Sequence, residues 1–352
     1  MKGFIAILSF LFIGIITAFY IGFGFDVKTT PQAVDKEIEG LNEKYVLRFS
    51  HVVADNTPKG LAASLFAQLV KEKTDGWVDI QIFSNGVLFN AQEEFDALKR
   101  NEVHLIAPAF SEIAVHNANW FVMDLPFLFR DEKEVKEAFD GEIGQLLFES
   151  IGRQGYKGIA YWENSFKHIT NNIRPIRSTE DLSEVTVRVM PSDALMDTYR
   201  TIGARPRVYA FNEVYEALSD GRVDGTENTP SNIYSKGLYQ QQKYMTISNH
   251  NYLGYAVLMN EHLWERLPVE HQSSIMEAME EVNDWLRVYA IDHNEERLNR
   301  IKNTGLIEIN ELAQVEKEHW RNQLESVYDK YSELIHPDIM EQVYKLHGKK
   351  SE

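Results

Sequence analysis

The chain has 352 residues, 44% of them hydrophobic and 25% charged, with a formal net charge of -17 and no cysteine. This is the composition of a globular protein long enough for about two domains, and it excludes disulfide frameworks, thiol nucleophiles, thiolate metal sites and lipid-modified cysteines. So acidic a chain argues against a nucleic-acid partner, which needs a basic face, and any anionic ligand must be drawn by a local positive pocket within a screening distance of about 10 Å.

Lys2 precedes an uncharged stretch from Gly3 to Phe25, rich in Ile, Phe and Leu and long enough to span a bilayer. Residues 1–25 are expected to be a signal peptide or an uncleaved membrane anchor. No clear Ala-x-Ala-like site stands before Asp26, so the sequence leaves both open, and either one exports the rest of the chain. Residues 26–45 read as a polar, acidic tether.

The folded part opens with an alternating, β-branched run from Val46 to Val53, predicted as a strand, and helical spacing from Leu61 to Glu72. Trp77 to Phe83 is the next strand, Ala91 to Lys99 a helix and Val103 to Ala107 a buried strand, an alternation that implies an α/β sheet. After the loop Asp124-Leu125-Pro126-Phe127 come one helix from Glu132 to Glu149 and a strand from Gly158 to Tyr161. Helices are predicted at Asp193 to Ile202 and Asn212 to Ser219. From about Val269 to Ile301 a helical pattern runs without proline or glycine, long enough at about 1.5 Å per residue to reach across two lobes. Its apolar stripe is most simply core packing.

The run Val185-Thr186-Val187-Arg188-Val189-Met190-Pro191 is a strand that breaks at a proline with one arginine inside it. Arg188 is therefore expected to point into a cleft, where its five donors in a rigid fork suit a carboxylate. The plainer alternative is a structural ion pair with one of the chain's many acids.

Familiar catalytic signatures are missing. The eleven histidines are scattered, with no His-Glu-x-x-His pair, no Gly-x-Ser-x-Gly elbow, no phosphate loop and no dinucleotide fingerprint. No catalytic residue, metal or cofactor is expected, and nothing selects two of the many carboxylates as an acid/base pair. What remains is a set of residues in loops after predicted strands, where open α/β sheets bind ligands. Lys59 lies near a helix start whose unpaired N–H groups favour anions, yet taken alone it reads first as a solvated surface lysine. Lys167, following the Ala160-Tyr161-Trp162 strand, is surface by default. Asn228 is explicable as a turn asparagine, and Phe211, His51 and Trp162 as simple packing.

Together the motifs resemble the extracytoplasmic solute receptors of the tripartite ATP-independent periplasmic (TRAP) transporters, the DctP type, from Val46 to about Ile335. The resemblance is carried in order by Phe49-Ser50-His51-Val52-Val53-Ala54 with Asn56-Thr57-Pro58-Lys59-Gly60, Ala107-Pro108, Asp124-Leu125-Pro126-Phe127, Ala160-Tyr161-Trp162-Glu163-Asn164, Arg188-Val189-Met190-Pro191-Ser192 and Val223-Asp224-Gly225-Thr226-Glu227-Asn228. Within the family the chain looks like the four-carbon dicarboxylate receptors, and among these like the DctB-type proteins that serve a sensor kinase.

The resemblance implies a two-lobed α/β periplasmic binding-protein fold with a long helix spanning both lobes. Lobe I is expected from residues 46–166 and 254–292, and lobe II with the C-terminal helices from 167–253 and 293–346. It further implies that Arg188 grips a ligand carboxylate, that Phe211 and Asn228 lie in the pocket, and that Lys59 is a second anchor. Lys167 stands where many relatives have arginine, and Ala109 where many have serine. His51 and Trp162 complete the candidate ligand-binding set. The implied function is reception of succinate, fumarate or malate in the periplasm or at the outer face of the cytoplasmic membrane. The implied partner is a TRAP-type permease, with a two-component sensor kinase as the alternative. The turn Gly203-Ala204-Arg205-Pro206-Arg207 is basic, with no role beyond exposed charge.

Overall fold

The computed structural model describes residues 44–348; the apolar stretch 3–25 and most of the expected tether lie outside the described residues. Among these residues, no helix is long and apolar enough to cross a membrane.

Among the described residues eleven strands form two sheets. β1 (Tyr45–Ser50), β2 (Val78–Phe83), β3 (Leu105–Ile106), β4 (Tyr156–Phe166) and β10 (Tyr252–Asn260) make one, in the order β2-β1-β3-β10-β4. β5 (His168–Asn171), β6 (Thr186–Val189), β7 (Arg205–Val208), β8 (Gly225–Asn228), β9 (Tyr244–Ile247) and β11 (Glu308–Glu311) make the other, in the order β11-β9-β5-β8-β6-β7. β1 pairs in parallel with β2 and β3, and β10 closes the first sheet antiparallel to β3 and β4. In the second sheet β6 is parallel to β7 and β8, while β5 is antiparallel to β8 and β9. β10 is buried along its whole length, as expected of a strand covered on both faces.

The chain passes between the sheets three times. Lys167 alone separates β4 from β5, residues 248–251 carry β9 into β10, and the first two passages are tied by Lys167 N–H donating to the Asn251 carbonyl at 2.8 Å. The third passage is the helix Val269–Thr304, 36 residues and so about 54 Å long. It packs on β4 and the helix Pro58–Lys73 at one end and on the helix Pro230–Ser235 at the other, before β11 joins the second sheet. The sequence-predicted long helix is thus observed, three residues longer, and ends at Gly305 with φ of 65°, a left-handed stop that glycine adopts without strain.

Several predicted elements differ in extent: the strand expected at Gly158 to Tyr161 is part of the longer β4, the one expected at Val103 to Ala107 narrows to Leu105–Ile106, and the helix expected from Asn212 begins only at Val214. The expected strand Val46 to Val53 ends at Ser50, because His51, Val52 and Val53 turn out of the ladder toward the next helix. The expected single helix Glu132 to Glu149 is two, Glu132–Asp140 and Glu142–Gly152, broken at Gly141 in an extended conformation. A Cβ at Gly141 would meet the Glu137 carbonyl oxygen at 2.4 Å, so the sharp turn needs glycine.

Candidate functional site

Between the two sheets lies a cavity with about 420 Å³ of space free of protein atoms, its mouth included. On the side of the second sheet the wall has Arg188 on β6, Asn228 on β8 and Phe211 in the turn after β7, and on the side of the first it has Lys59, in the helix that follows β1.

Arg188 sits on β6 between Val187 and Val189, which are fully buried. Its Nε and Nη2 both donate to the Tyr209 carbonyl, at 2.9 and 2.8 Å, which fixes the plane of the guanidinium. Nη1 is buried and has no hydrogen-bond partner among the described residues. Burial works against the charge, and Glu227, Glu112 and Glu213 support it. A buried donor left open in this way requires a partner, and a carboxylate supplies one.

Lys59 is held by the start of the helix Pro58–Lys73. Thr57 caps that helix by accepting from the Gly60 N–H at 3.2 Å, with Pro58 in the first turn where its missing N–H does no harm. Gly60 permits a close turn, since a Cβ there would meet the Ala54 carbonyl oxygen at 2.4 Å. Lys59 is only 2% exposed, so it is no solvated lysine; Nζ donates to the Ala107 carbonyl at 2.8 Å and lies 3.9 Å from the centre of the Tyr255 ring. Burial pulls its pKa down, opposed by Glu94 and Glu112. Among the described residues neither Lys59 nor Arg188 makes a direct ion pair.

Asn228, at the end of β8, accepts through Oδ1 from the Thr229 N–H and from Asn232 Nδ2, both at 2.9 Å. Phe211 faces the cavity as an apolar wall, with Lys236 Nζ 5.1 Å from its ring centre. Ala109 lines the cavity with a methyl group and no hydroxyl.

Three expected site residues lie elsewhere. Lys167 does not line the cavity: its Nζ pairs with Glu227, at 2.9 Å from Oε2 and 3.2 Å from Oε1, and both side chains are buried. Trp162 is wholly buried, its Nε1 donating to Met279 Sδ at 3.3 Å and its ring packed against Phe49 and Phe66. Each is consumed by contacts inside the fold. His51 is also outside the cavity wall and fully buried; burial, then Lys59, lowers its pKa to about 3 and holds the ring neutral. In the basic turn, Arg205 pairs with Glu184 at the surface and Arg207 is exposed.

Four polar wall residues escaped the sequence reading: Glu94, Glu112, Asn232 and Tyr255. For Glu94 a signal existed, since Ala91, Phe95 and Leu98 define a buried helix face on which it falls. Burial raises the pKa of Glu112 to about 7, against the pull of Arg188 and Lys59. No group of three or more metal-ligating side chains occurs among the described residues.

A family model described as bacterial extracellular solute-binding protein, family 7 (DctP), matches residues 49–334. The chain belongs to that family. It is a family of exported solute-binding receptors and not of enzymes. The chain is 42% identical over 346 residues to the C4-dicarboxylate-binding protein DctB of Bacillus subtilis (strain 168), covering 98% of this chain and 99% of that one. Its fold is similar to that of a TRAP periplasmic solute-binding protein from Sulfurospirillum deleyianum solved with bound succinate, with 36% identity, a TM-score of 0.82 and coverage of 86% of this chain and 99% of that one. A TRAP periplasmic solute-binding protein from Pseudomonas aeruginosa PAO1, solved with bound L-malate, is 30% identical with a TM-score of 0.79, covering 82% of this chain and all of the other. The two-lobed TRAP receptor architecture expected from the sequence is therefore the fold of this family member.

Proposed function

We propose that this receptor binds four-carbon dicarboxylates, succinate, fumarate or malate, with Arg188 pairing one carboxylate and Lys59 the other, and Phe211 and Asn228 completing the wall. The single observation that carries this is the buried Nη1 of Arg188, without a partner among the described residues, in a cavity shared with a second buried cation. The names and bound ligands of the similar proteins support the same ligand class. Two charge-assisted anchors of roughly 1.5–3 kcal/mol each supply about 3–6 of the about 8 kcal/mol of micromolar binding, and contacts to the rest of the closed cavity wall supply the remainder. A monoacid would leave one cation buried and unpaired.

Residues 46–166 with 254–292, and 167–253 with 293–346, form the two lobes of this reading, flexing at the passages around Lys167 and residues 248–251. Ligand favours the shut form because only that form is touched from both sides. The loaded receptor then hands its ligand to a TRAP-type permease at the outer face of the membrane, with residues 3–25 serving as export signal or anchor. In the alternative, the loaded form docks on the outer domain of a sensor kinase, and deletion of the permease then leaves the ligand response intact. Calorimetric titration of the full chain in mild detergent tests the ligand class. Succinate, fumarate or malate should bind at micromolar concentration and butyrate should not; equal binding of butyrate would remove Lys59 or Arg188 as an anchor.

A further inference from the structure

Two carboxyl groups in the cavity wall have no part in the reading above. Glu94 comes from the helix Glu93–Lys99 and Glu112 from the short helix Phe110–Ala114, and both line the cavity with Lys59 and Arg188. They are 1% and 4% exposed. Their hydrogen-bond partners are neutral: Ser50 Oγ donates to Glu94 Oε1 at 2.8 Å, and Gln92 Nε2 to Glu112 Oε2 at 3.4 Å. Lys59 and Glu112 face Glu94, while Arg188, Lys59 and Asp124 face Glu112. His51, next to Lys59, is neutral.

The charge count is decisive. With all four groups ionised, two cations and two carboxylates sum to zero, and an entering dianion would bring two uncompensated negative charges into a buried site. With both acids protonated, the cavity carries the two positive charges that match a dianion. Protonation also changes what the acids can do, because a carboxylate only accepts hydrogen bonds and a carboxylic acid donates one. Two carboxylates pressed against a ligand carboxylate repel it; two carboxylic acids can donate to its oxygens.

We infer that Glu94 and Glu112 meet the ligand as neutral acids, so that entry of a dicarboxylate dianion is coupled to proton uptake by the cavity wall. This rests on the dicarboxylate reading. No bond to carbon is made or broken; a proton moves from solvent to a glutamate oxygen as the dianion enters. Burial already raises the pKa of both acids, and the ligand's charge pushes in the same direction. Uptake falls in the pH range between the pKa of each acid in the free and in the loaded protein. Affinity therefore declines as pH rises through that range and is flat below it.

The test is calorimetric titration of the full chain with succinate at pH about 7.5 in phosphate and in Tris, whose ionisation enthalpies differ. The free ligand is then ionised, since ordinary carboxyls titrate near about 4, and any proton taken up goes to the protein. Expected are unlike heats in the two buffers, corresponding to about one proton per ligand, and affinity falling by up to about tenfold per pH unit above neutrality. Glu94→Gln with Glu112→Gln should abolish the buffer dependence, and each single variant should reduce it. Equal heats in the two buffers, with clear succinate binding, overturn the inference and leave the ligand class standing. Undiminished uptake in the variants assigns the proton to Lys59 and overturns it as well. No heat from any four-carbon diacid overturns the ligand class, and the inference with it. The buffer comparison on the unsubstituted chain decides the matter where a variant fails to fold.

Discussion

Lys59 and Lys167 are both buried lysines beside strand ends of the first sheet, and they have opposite fates. Lys167 stands where the chain crosses between the sheets and is neutralised by Glu227, which lies on β8 of the second sheet. Around that pair, Tyr199 and Ser248 hydrogen-bond the ring nitrogens of His250 at 3.0 and 2.7 Å, and Ser111 donates to Asp124 at 2.6 Å. Lys59 faces the cavity, where its Nζ donates to a carbonyl and lies over an aromatic ring, and among the described residues it makes no direct ion pair. A cation already matched within the fold holds the fold together; a cation left unmatched beside a cavity is available to a ligand. The same contrast separates Arg188, with its open Nη1, from Arg287, whose Nε and Nη2 are taken by Glu163 and Asp140 at 2.9 and 3.0 Å.

The contrast is broken most easily at Lys167. Lys167→Met strands the Glu227 carboxylate, and stability to urea should fall by about 3–5 kcal/mol, with most of it restored when Glu227→Met is added. A loss below about 1 kcal/mol would show that the pair does not hold the crossing. At the cavity, Arg188→Ala should weaken succinate binding by about 100-fold or more, about 3 kcal/mol, while the unliganded protein still unfolds in one transition. Retained affinity would remove Arg188 from the ligand site.

The crossing should also resist protons where the cavity accepts them. His168, first residue of β5, is held neutral by burial, which lowers its pKa to about 4. An unfolded histidine titrates near about 6.5. Between these values the unfolded chain binds the extra proton, so this residue's contribution to stability is present above about pH 6.5 and is lost as pH falls toward about 4. His168→Asn should flatten the acid limb of a urea stability profile by about 3 kcal/mol; an unchanged limb would place the acid sensitivity elsewhere. The smallest effect belongs to Trp162. Trp162→Phe should lower stability by about 1–2 kcal/mol, as a partly filled core position does, with succinate affinity changed by less than about twofold. A large loss of affinity would return Trp162 to the ligand site.

Much of the frame was legible in the residues. The spacing from Leu61 predicted a helix with Lys59 near its start, the uninterrupted pattern from Val269 predicted the long helix, and Val187, Arg188 and Val189 before Pro191 predicted an arginine held in a strand at a cleft. These follow from contacts within about four residues or from strand alternation, which a sequence displays directly. The break at Gly141 was not legible, because the glycine is required by a carbonyl in the turn formed and not by any pattern around it.

The sequence by itself thus determined much of the alternation of strands and helices and a short list of cations able to meet an acid. Only the tertiary structure decided which cation is spent inside the fold. Lys167 and Glu227 are 60 residues apart, and Arg188 and its Tyr209 carbonyl are 21 apart. The carboxyls of Glu94 and Glu112 reach one cavity from separate helices. Whether a buried charge is satisfied depends on groups brought within about 4 Å across the two sheets. No local pattern encodes that distance, and so tertiary packing sorted the lysine paired inside the fold from the one that faces the cavity.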